Sequence, residues 1–182
     1  MSYHIFAGRF QPFHNGHLEI VEKAISNLSN DDFLVIGIVT AFKGLAVIDN
    51  SFADNAIEHH LVERNPWFPL VPLKAVTHLS KVLNKSNQII ITVLPSPDSS
   101  WQEISNWFPK NRKWIIPEAD EDFDEKKADF YRRQGETVIR YKECSNVSGR
   151  ELRDYFFKGD YENFKKYIPA QIADIYWTGE KK

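Results

Sequence analysis

The chain has 182 residues, a formal charge of −2, 42% hydrophobic residues and 26% charged residues. This length fits a single domain over residues 1–182 with room for one core. The weak negative charge argues against DNA or membrane binding, so any bound phosphate needs locally placed cations. The lone Cys144 cannot form an internal disulfide, and no apolar run is long enough to cross a bilayer. We therefore expect a cytoplasmic protein without nucleic-acid or membrane partners, and leave open whether it forms a homo-oligomer.

Short apolar runs rich in β-branched and aromatic residues alternate with helical patterns along the chain. The predicted strands are Tyr3–Ala7, Phe33–Val39, Gln88–Leu94, Lys113–Ile116 and Thr137–Tyr141. The predicted helices are Gly16–Leu28, Pro69–Leu83, Ser100–Trp107, Phe123–Gln134, Ser148–Lys158, Tyr161–Tyr167 and Pro169–Tyr176. This alternation favours a Rossmann-like α/β fold, with a doubly wound parallel sheet of about five strands, helices on both faces and further helices at the C-terminus.

The first strand is followed by the run Gly8-Arg9-Phe10-Gln11-Pro12-Phe13-His14-Asn15-Gly16-His17. A helix that begins near Asn15 exposes unpaired N–H groups and the positive end of its dipole, which suit a polyphosphate. His14 and His17 are three residues apart, so both imidazoles can face one side of the first turn. Gly16 allows close approach of an anion, and Arg9 offers a planar donor fork. The alternatives are two capping histidines and a surface ion pair of Arg9.

This run resembles the H-x-G-H signature of the nucleotidylyltransferase superfamily, and over its full length it resembles the nicotinamide mononucleotide (NMN) adenylyltransferases of archaeal type. The resemblance implies adenylyl transfer from ATP, accompanied by Mg²⁺, to NMN, giving NAD and pyrophosphate. It implies ATP-binding roles for Gly8, Arg9, Phe10, His14, Gly16 and His17. Among these, Arg9, His14 and His17 would also be catalytic.

A second motif, Val147-Ser148-Gly149-Arg150-Glu151-Leu152-Arg153, opens the helix after the fifth strand. Ser148 and Glu151 have the spacing of a capping box, which by itself is a structural explanation. The motif also resembles the family signature Ser-Gly/Ser-Thr-x-Ile/Leu-Arg, which implies that Ser148, Gly149, Arg150 and Arg153 bind ATP and that Arg153 is catalytic. Arg150 replaces the family's threonine. It either adds to the triphosphate site or pairs with a nearby carboxylate.

Two weaker patches concern the acceptor nucleotide. Glu63-Arg64-Asn65-Pro66-Trp67 resembles the family's Arg-Asn/Asp-Pro-Phe segment, which implies that Arg64 and Asn65 bind NMN. The Gly-Glu-Arg that usually follows is replaced by Phe68-Pro69-Leu70-Val71-Pro72. Asp98 and Trp101 resemble a family pair in which the tryptophan stacks on nicotinamide. The alternative is that Trp101 belongs to the core and Asp98 caps a helix.

The remaining features favour structural roles. Acidic residues between Glu118 and Glu125 are typical of a solvated helix start, so we predict no protein metal site there. Lys126 and Lys127 continue the mixed charge of an exposed helix. The family's Thr/Ser-Gly-Asn loop is replaced by Ile116-Pro117-Glu118-Ala119-Asp120. The irregular segment 41–63 is longer than a usual connection, which marks it as a lid, an interface arm or an inserted helix.

Two other functions remain open from the sequence. One is a related transferase with another phosphorylated acceptor, such as a phosphorylated pantetheine or a polyol phosphate. The other is a nucleotide-binding sensor without turnover, which the two missing family elements suggest.

Overall fold

A computed structural model describes residues 1–40, 62–97, 100–118, 122–142, 144 and 147–181. Its strands are β1 (Tyr3–Gly8), β2 (Phe33–Thr40), β3 (Ile89–Pro95), β4 (Arg112–Glu118) and β5 (Thr137–Lys142). Its α-helices are α1 (Asn15–Ser26), α2 (Leu70–Ser80), α3 (Trp101–Trp107), α4 (Asp122–Arg133), α5 (Gly149–Phe157), α6 (Tyr161–Lys166) and α7 (Ala173–Trp177). Short 3₁₀ turns lie at Val62–Arg64 and Ser86–Gln88.

The five described strands form one parallel sheet in the order β3-β2-β1-β4-β5. Strand β1 is central, and its Tyr3 is paired with Phe33 of β2 on one side and Arg112 of β4 on the other. The strand order reverses between β1 and β4, which is the topological switch point of a doubly wound sheet. The predicted fold class is therefore confirmed.

Two apolar clusters cover the two faces of the sheet. Alternate residues of one strand contribute to different clusters, as the period of two requires: Phe6 lies in one and Ile5 in the other. The cluster around Phe6 includes buried side chains of α1, α2 and α5, whereas the cluster around Ile5 includes those of α3 and α4. Helices on both faces thus bury the sheet and leave its carboxyl edge for a site.

The predicted element boundaries differ from the observed ones mainly at helix ends. Helix α2 ends at Ser80 instead of Leu83. The predicted helix Pro169–Tyr176 is wrong in its first half, because the chain there forms a turn in which the N–H of Ile172 donates to the carbonyl of Pro169 at 2.9 Å. The segment 41–63 lies outside the described residues up to position 61. None of the described helices has the length and hydropathy that a membrane span requires.

Candidate active site

The loop after β1 lies at the carboxyl edge of the sheet, beside the switch point between β1 and β4. Its backbone is held by Tyr176 of α7. The buried Tyr176 hydroxyl donates to the carbonyl of Phe10 and accepts from the N–H of Phe13, both at 3.0 Å. Burial of the Tyr176 phenol raises its pKa, so the hydroxyl stays protonated as a donor. The loop is therefore fixed from the C-terminal part of the chain.

The side chain of Gln11 holds the same loop from another direction. Its amide nitrogen donates to the carbonyl of Trp67 at 3.0 Å, and its amide oxygen accepts from the N–H of Trp67 at 3.2 Å. The fully buried indole of Trp67 donates in turn to the carbonyl of Tyr176 at 2.7 Å. Three segments distant in sequence thus form one hydrogen-bonded scaffold under the loop.

Phe10 has a left-handed backbone with φ of 50°, which costs a non-glycine residue about 1–2 kcal/mol. Its ring is buried and lies 5.1 Å from the His17 ring, edge to face. A Cβ on Gly8 would lie 3.0 Å from the Phe10 ring, so glycine makes room for this packing. Gly8 and Phe10 therefore shape the site, and their direct contact with ATP remains a prediction.

His14 and His17 form a stacked pair at the start of α1, with ring centroids 3.7 Å apart and an interplanar angle of 27°. The three-residue spacing predicted that both rings can face one side of the first turn, and the structure adds that they stack. The N–H of His14 donates to Nδ1 of His17 at 3.2 Å. Because Nδ1 accepts, a neutral His17 carries its proton on Nε2. One ring nitrogen of His17 thus caps the helix and the other remains a donor, so the capping role and the catalytic role are compatible.

Both histidines are neutral at physiological pH. Burial, and to a smaller extent the charge of Arg153, lowers the pKa of His14 to about 4. Burial also lowers the pKa of His17 well below its usual value, with smaller contributions from His14 and Lys127. A phosphate beside the rings would favour their protonated forms, because an opposite charge raises the pKa of a base. The neutral pair can therefore donate hydrogen bonds to an anion, and the two stacked rings do not repel each other before the anion binds.

Arg9, Arg64 and Arg153 bring positive charge to the same loop. Burial, with smaller contributions from the charges of Arg153 and Arg64, lowers the pKa of Arg9 to about 10. Burial likewise lowers the pKa of Arg153 to about 10, with contributions from Arg64 and Arg150. Arg9 and Arg153 remain charged at pH 7, and the repulsion among the three guanidinium groups is a cause of both shifts. An incoming phosphate would relieve this repulsion.

The predicted acceptor residues are only partly described. Asn65 is buried directly after the 3₁₀ turn, and its side-chain oxygen accepts from Nη1 of Arg9 at 3.5 Å. Arg64 and Asn65 therefore lie beside the loop after β1. Asp98 lies outside the described residues. The NMN-binding roles of all three remain predictions.

The second motif meets the first through Arg153. Ser148 caps α5, since its hydroxyl accepts from the N–H of Glu151 at 3.2 Å. Nη1 of Arg153 donates to the carbonyl of Gln11 at 2.8 Å. A Cβ on Gly149 would lie 3.2 Å from that same nitrogen, so the absence of a side chain leaves space for the guanidinium. Arg150 is exposed on the same helix turn.

Trp101 lies on the opposite face of the sheet from α1. Its ring centroid is 5.7 Å from those of Trp114, Phe130 and Tyr131, and the guanidinium carbon of Arg112 lies 5.6 Å from it. The side chain is partly buried in this aromatic cluster. Trp101 therefore packs into the core, which was the structural alternative. Its stacking on nicotinamide remains a prediction.

Lys127 corrects the expectation of an exposed helix surface. It is partly buried, and its ammonium donates to the carbonyl of Ala7 at 3.0 Å, at the end of β1. A signal existed in the sequence, because Phe130 and Tyr131 lie three and four positions later and are buried. Lys127 therefore sits at the edge of the buried helix face.

The acidic run has no metal-binding geometry where it is described. Glu125 is bound by Arg132 at 2.8 Å and by Arg140 at 2.6 Å, and residues 119–121 lie outside the described part. Among the residues that the structure describes, no group of three or more His, Cys, Asp or Glu side chains is arranged to hold a metal ion.

The parallel sheet, the basic loop after β1 and the histidine pair at a helix N-terminus together define a nucleotide-binding α/β protein. The chain belongs to the cytidylyltransferase-like family, whose sequence profile matches residues 5–155.

Two curated relatives are archaeal proteins named nicotinamide-nucleotide adenylyltransferase. The one from Picrophilus torridus is 28% identical over 177 residues, which cover 92% of this chain and 86% of the relative. The one from Thermoplasma acidophilum is 43% identical over 76 residues, which cover 38% of this chain and 39% of the relative.

Two solved structures have a similar fold. One is a bifunctional NMN adenylyltransferase/ADP ribose pyrophosphatase from Francisella tularensis, with a TM-score of 0.57 and 18% identity over 92% of this chain and 44% of that protein. The other is the nicotinic acid mononucleotide adenylyltransferase of Plasmodium falciparum complexed with NaAD, with a TM-score of 0.53 and 15% identity over 96% of this chain and 93% of that protein.

Proposed function

We propose that this chain transfers the adenylyl group of ATP to NMN, producing NAD and pyrophosphate. The observation that carries the proposal is the stacked pair of His14 and His17, with Arg153 held on the same loop through the carbonyl of Gln11. The names of the two archaeal relatives support NMN as the acceptor. Mg²⁺ enters with ATP as part of the substrate.

The reaction needs no protein nucleophile. A phosphate oxygen of NMN attacks the α-phosphorus of ATP and forms a new P–O bond, while the bond from that phosphorus to the β-phosphate bridge breaks and pyrophosphate leaves. The protein must place the two phosphates in line and stabilise charge on the leaving group. Nε2–H of His17 and a ring nitrogen of His14 would donate to phosphate oxygens, and Arg9 and Arg153 would bind the triphosphate.

The acceptor side rests first on the last residue of the 3₁₀ turn Val62–Arg64 and on the residue after it. Arg64 would bind the NMN phosphate, since Asn65 beside it contacts Arg9. Asp98 and Trp101 would hold the nicotinamide. Gly16 would let the nucleotide approach the backbone of α1.

The proposal treats residues 1–182 as one domain that acts in the cytoplasm on small-molecule substrates. Cys144 is an exposed free thiol, which is compatible with a reducing compartment. Whether the enzyme works as a homo-oligomer is decided by its mass in solution.

The test is product analysis by chromatography after incubation with ATP, Mg²⁺ and one acceptor at a time. NMN should give NAD and one equivalent of pyrophosphate. The panel includes the nicotinic acid analogue of NMN, a phosphorylated pantetheine and a polyol phosphate. Adenylylation of another acceptor without NAD would overturn the acceptor assignment, and ATP binding without any product would favour a sensor. The double variant His14→Ala, His17→Ala is the negative control for contaminating activity.

A further inference from the structure

The hydroxyl of Tyr176 joins two residues of the nucleotide loop that flank His17. It donates to the carbonyl of Phe10 and accepts from the N–H of Phe13, both at 3.0 Å. The ring centroids of Phe10 and Phe13 lie 5.1 Å and 5.3 Å from that of His17. Phe13 also directly precedes His14, the N-cap of α1. The Tyr176 hydroxyl therefore holds the backbone from which both histidines of the site are placed.

The backbone of the same tyrosine holds the predicted acceptor segment, residues 64–67. The indole N–H of Trp67 donates to the carbonyl of Tyr176 at 2.7 Å, and the two rings pack edge to face with centroids 5.2 Å apart. Trp67 lies two positions after Asn65, whose side chain accepts from Arg9. Tyr176 thus contacts the ATP side of the site through its hydroxyl and the acceptor side through its carbonyl.

This double attachment bears on the chemical step more than on binding. Adenylyl transfer requires the acceptor phosphate to lie in line with the leaving pyrophosphate, and a misplacement of about 1 Å can cost about 10²-fold in rate. Tyr176 is fully buried, so it acts through the two segments and not by touching a substrate. A shift of the nucleotide loop relative to Trp67 would change the distance between the bound substrates, while each substrate would keep its own contacts.

We infer that Tyr176 is a positioning residue, which sets the nucleotide loop against the acceptor segment and so aligns the two phosphates for transfer. The inference rests on the proposed function for the type of reaction and does not depend on which acceptor is used. It assigns a role in the reaction to a residue of α7 that lies outside every motif of the sequence.

The test measures binding and chemistry separately in Tyr176→Phe, which keeps the ring and removes only the hydroxyl. Calorimetry gives the affinities for ATP and for NMN, and single-turnover measurements at saturating enzyme give the rate of transfer. We expect the rate to fall by about tenfold or more and each affinity to change by less than about threefold. Tyr161→Phe is the matched control and should keep the wild-type rate, because the Tyr161 hydroxyl bonds the carboxylate of Asp174 in the same helix.

Urea unfolding of each variant separates a loss of stability from a loss of rate, since the rate at saturating enzyme reports the folded molecules. A wild-type rate in Tyr176→Phe, at whatever stability, would leave Tyr176 a structural role only and overturn the inference. An ATP affinity that falls as much as the rate would overturn it as well, since Tyr176 would then shape the nucleotide site alone. If Tyr176→Phe does not fold, the rate and affinities of Trp67→Phe, which lacks the bond on the acceptor side, decide in the same way.

The failure of the inference differs from that of the proposed function. If another acceptor replaces NMN in the product panel, the same measurements are made with that acceptor. A wild-type protein that turns over, with a Tyr176→Phe variant of equal rate, defeats only the inference. A wild-type protein that forms no product with any acceptor defeats the proposed function, and the inference with it.

Discussion

Arg153 donates a 2.8 Å hydrogen bond to the carbonyl oxygen of Gln11, a residue 142 positions earlier in the chain. Gln11 is fixed through its own side chain to the backbone of Trp67. The two nucleotide motifs are therefore one structural unit, and the position of the Arg153 guanidinium depends on the loop after β1.

Gly149→Ala tests this dependence. The new Cβ would lie 3.2 Å from Nη1 of Arg153, and the end of a flexible side chain yields before the backbone does. We expect ATP affinity to fall by about tenfold because the guanidinium is displaced. The free energy of unfolding should change little, since the gain of about 0.5–1 kcal/mol from alanine in a helix is offset by the weakened bond from Arg153 to Gln11. Calorimetry and urea unfolding measure the two quantities, and wild-type ATP affinity would contradict the expectation.

The sequence predicted the parts of the site that depend on local spacing. Strand β1, the start of α1 and the placement of His14 and His17 on one side of its first turn follow from short patterns. The support from Tyr176 was not predictable, because its hydroxyl bonds residues 163 and 166 positions away and no local pattern encodes such a pairing. Lys127 was misjudged because its charge suggested solvent, although its spacing from Phe130 and Tyr131 places it at the edge of the buried face of α4.

His17→Ala should lower the single-turnover rate by about 10²–10³ and weaken ATP binding much less. The reason is that the Nε2 donor acts mainly on charge that develops as pyrophosphate leaves. Helix α1 also loses the acceptor for the N–H of His14, so stability should fall. His17→Gln restores an acceptor at this position and should recover the stability without the full rate. A wild-type rate in either variant would remove His17 from the mechanism.

The buried neutral His14 should make the protein sensitive to acid. Its pKa is about 4 in the folded chain and 6.5 in the unfolded chain, so the unfolded state takes up a proton first as the pH falls. The free energy of unfolding should therefore decrease from about pH 6.5 down to about pH 4, by about 3 kcal/mol from this residue.

His14→Asn should flatten this acid limb, because asparagine does not titrate and is a favoured helix N-cap. His4 and His17, whose pKa values burial also lowers, should keep part of the slope. Urea unfolding at pH 7 and pH 4.5 measures the difference. His78→Asn, at an exposed histidine of α2, is the matched control and should keep the wild-type slope. A wild-type slope in His14→Asn as well would show that His14 does not cause the acid sensitivity.

Trp101→Leu separates nicotinamide stacking from core packing. The leucine should lower the free energy of unfolding by about 1–3 kcal/mol, since the indole contacts Trp114, Phe130 and Tyr131. If the ring also stacks on nicotinamide, NMN affinity should fall by about two- to thirtyfold with ATP affinity retained. Trp107→Leu, at an exposed tryptophan of α3, should leave both affinities unchanged. Equal losses of NMN and ATP binding at Trp101 would assign it to the core alone.

Arg150 is the clearest departure within the second motif. It is exposed in the first turn of α5, where a cation faces the positive end of the helix dipole at a cost of about 0.3–1 kcal/mol. Among the described residues it forms no ion pair, and the Glu151 carboxylate accepts from the Tyr155 hydroxyl at 3.0 Å instead. Its charge also lowers the pKa of Arg153. These observations favour a role for Arg150 in binding the phosphate groups of the ligand.

Arg150→Thr, which introduces the residue of the family signature, decides between that role and an ordinary surface position. A phosphate-binding Arg150 requires weaker ATP binding, a shallower dependence of ATP affinity on salt and a more stable ligand-free protein. The salt dependence follows because one cation fewer attracts the triphosphate. The stability gain follows because the unfavourable dipole interaction and the repulsion of Arg153 are both removed. Titrations at two ionic strengths and thermal unfolding measure all three effects, and wild-type ATP affinity would exclude Arg150 from the phosphate site.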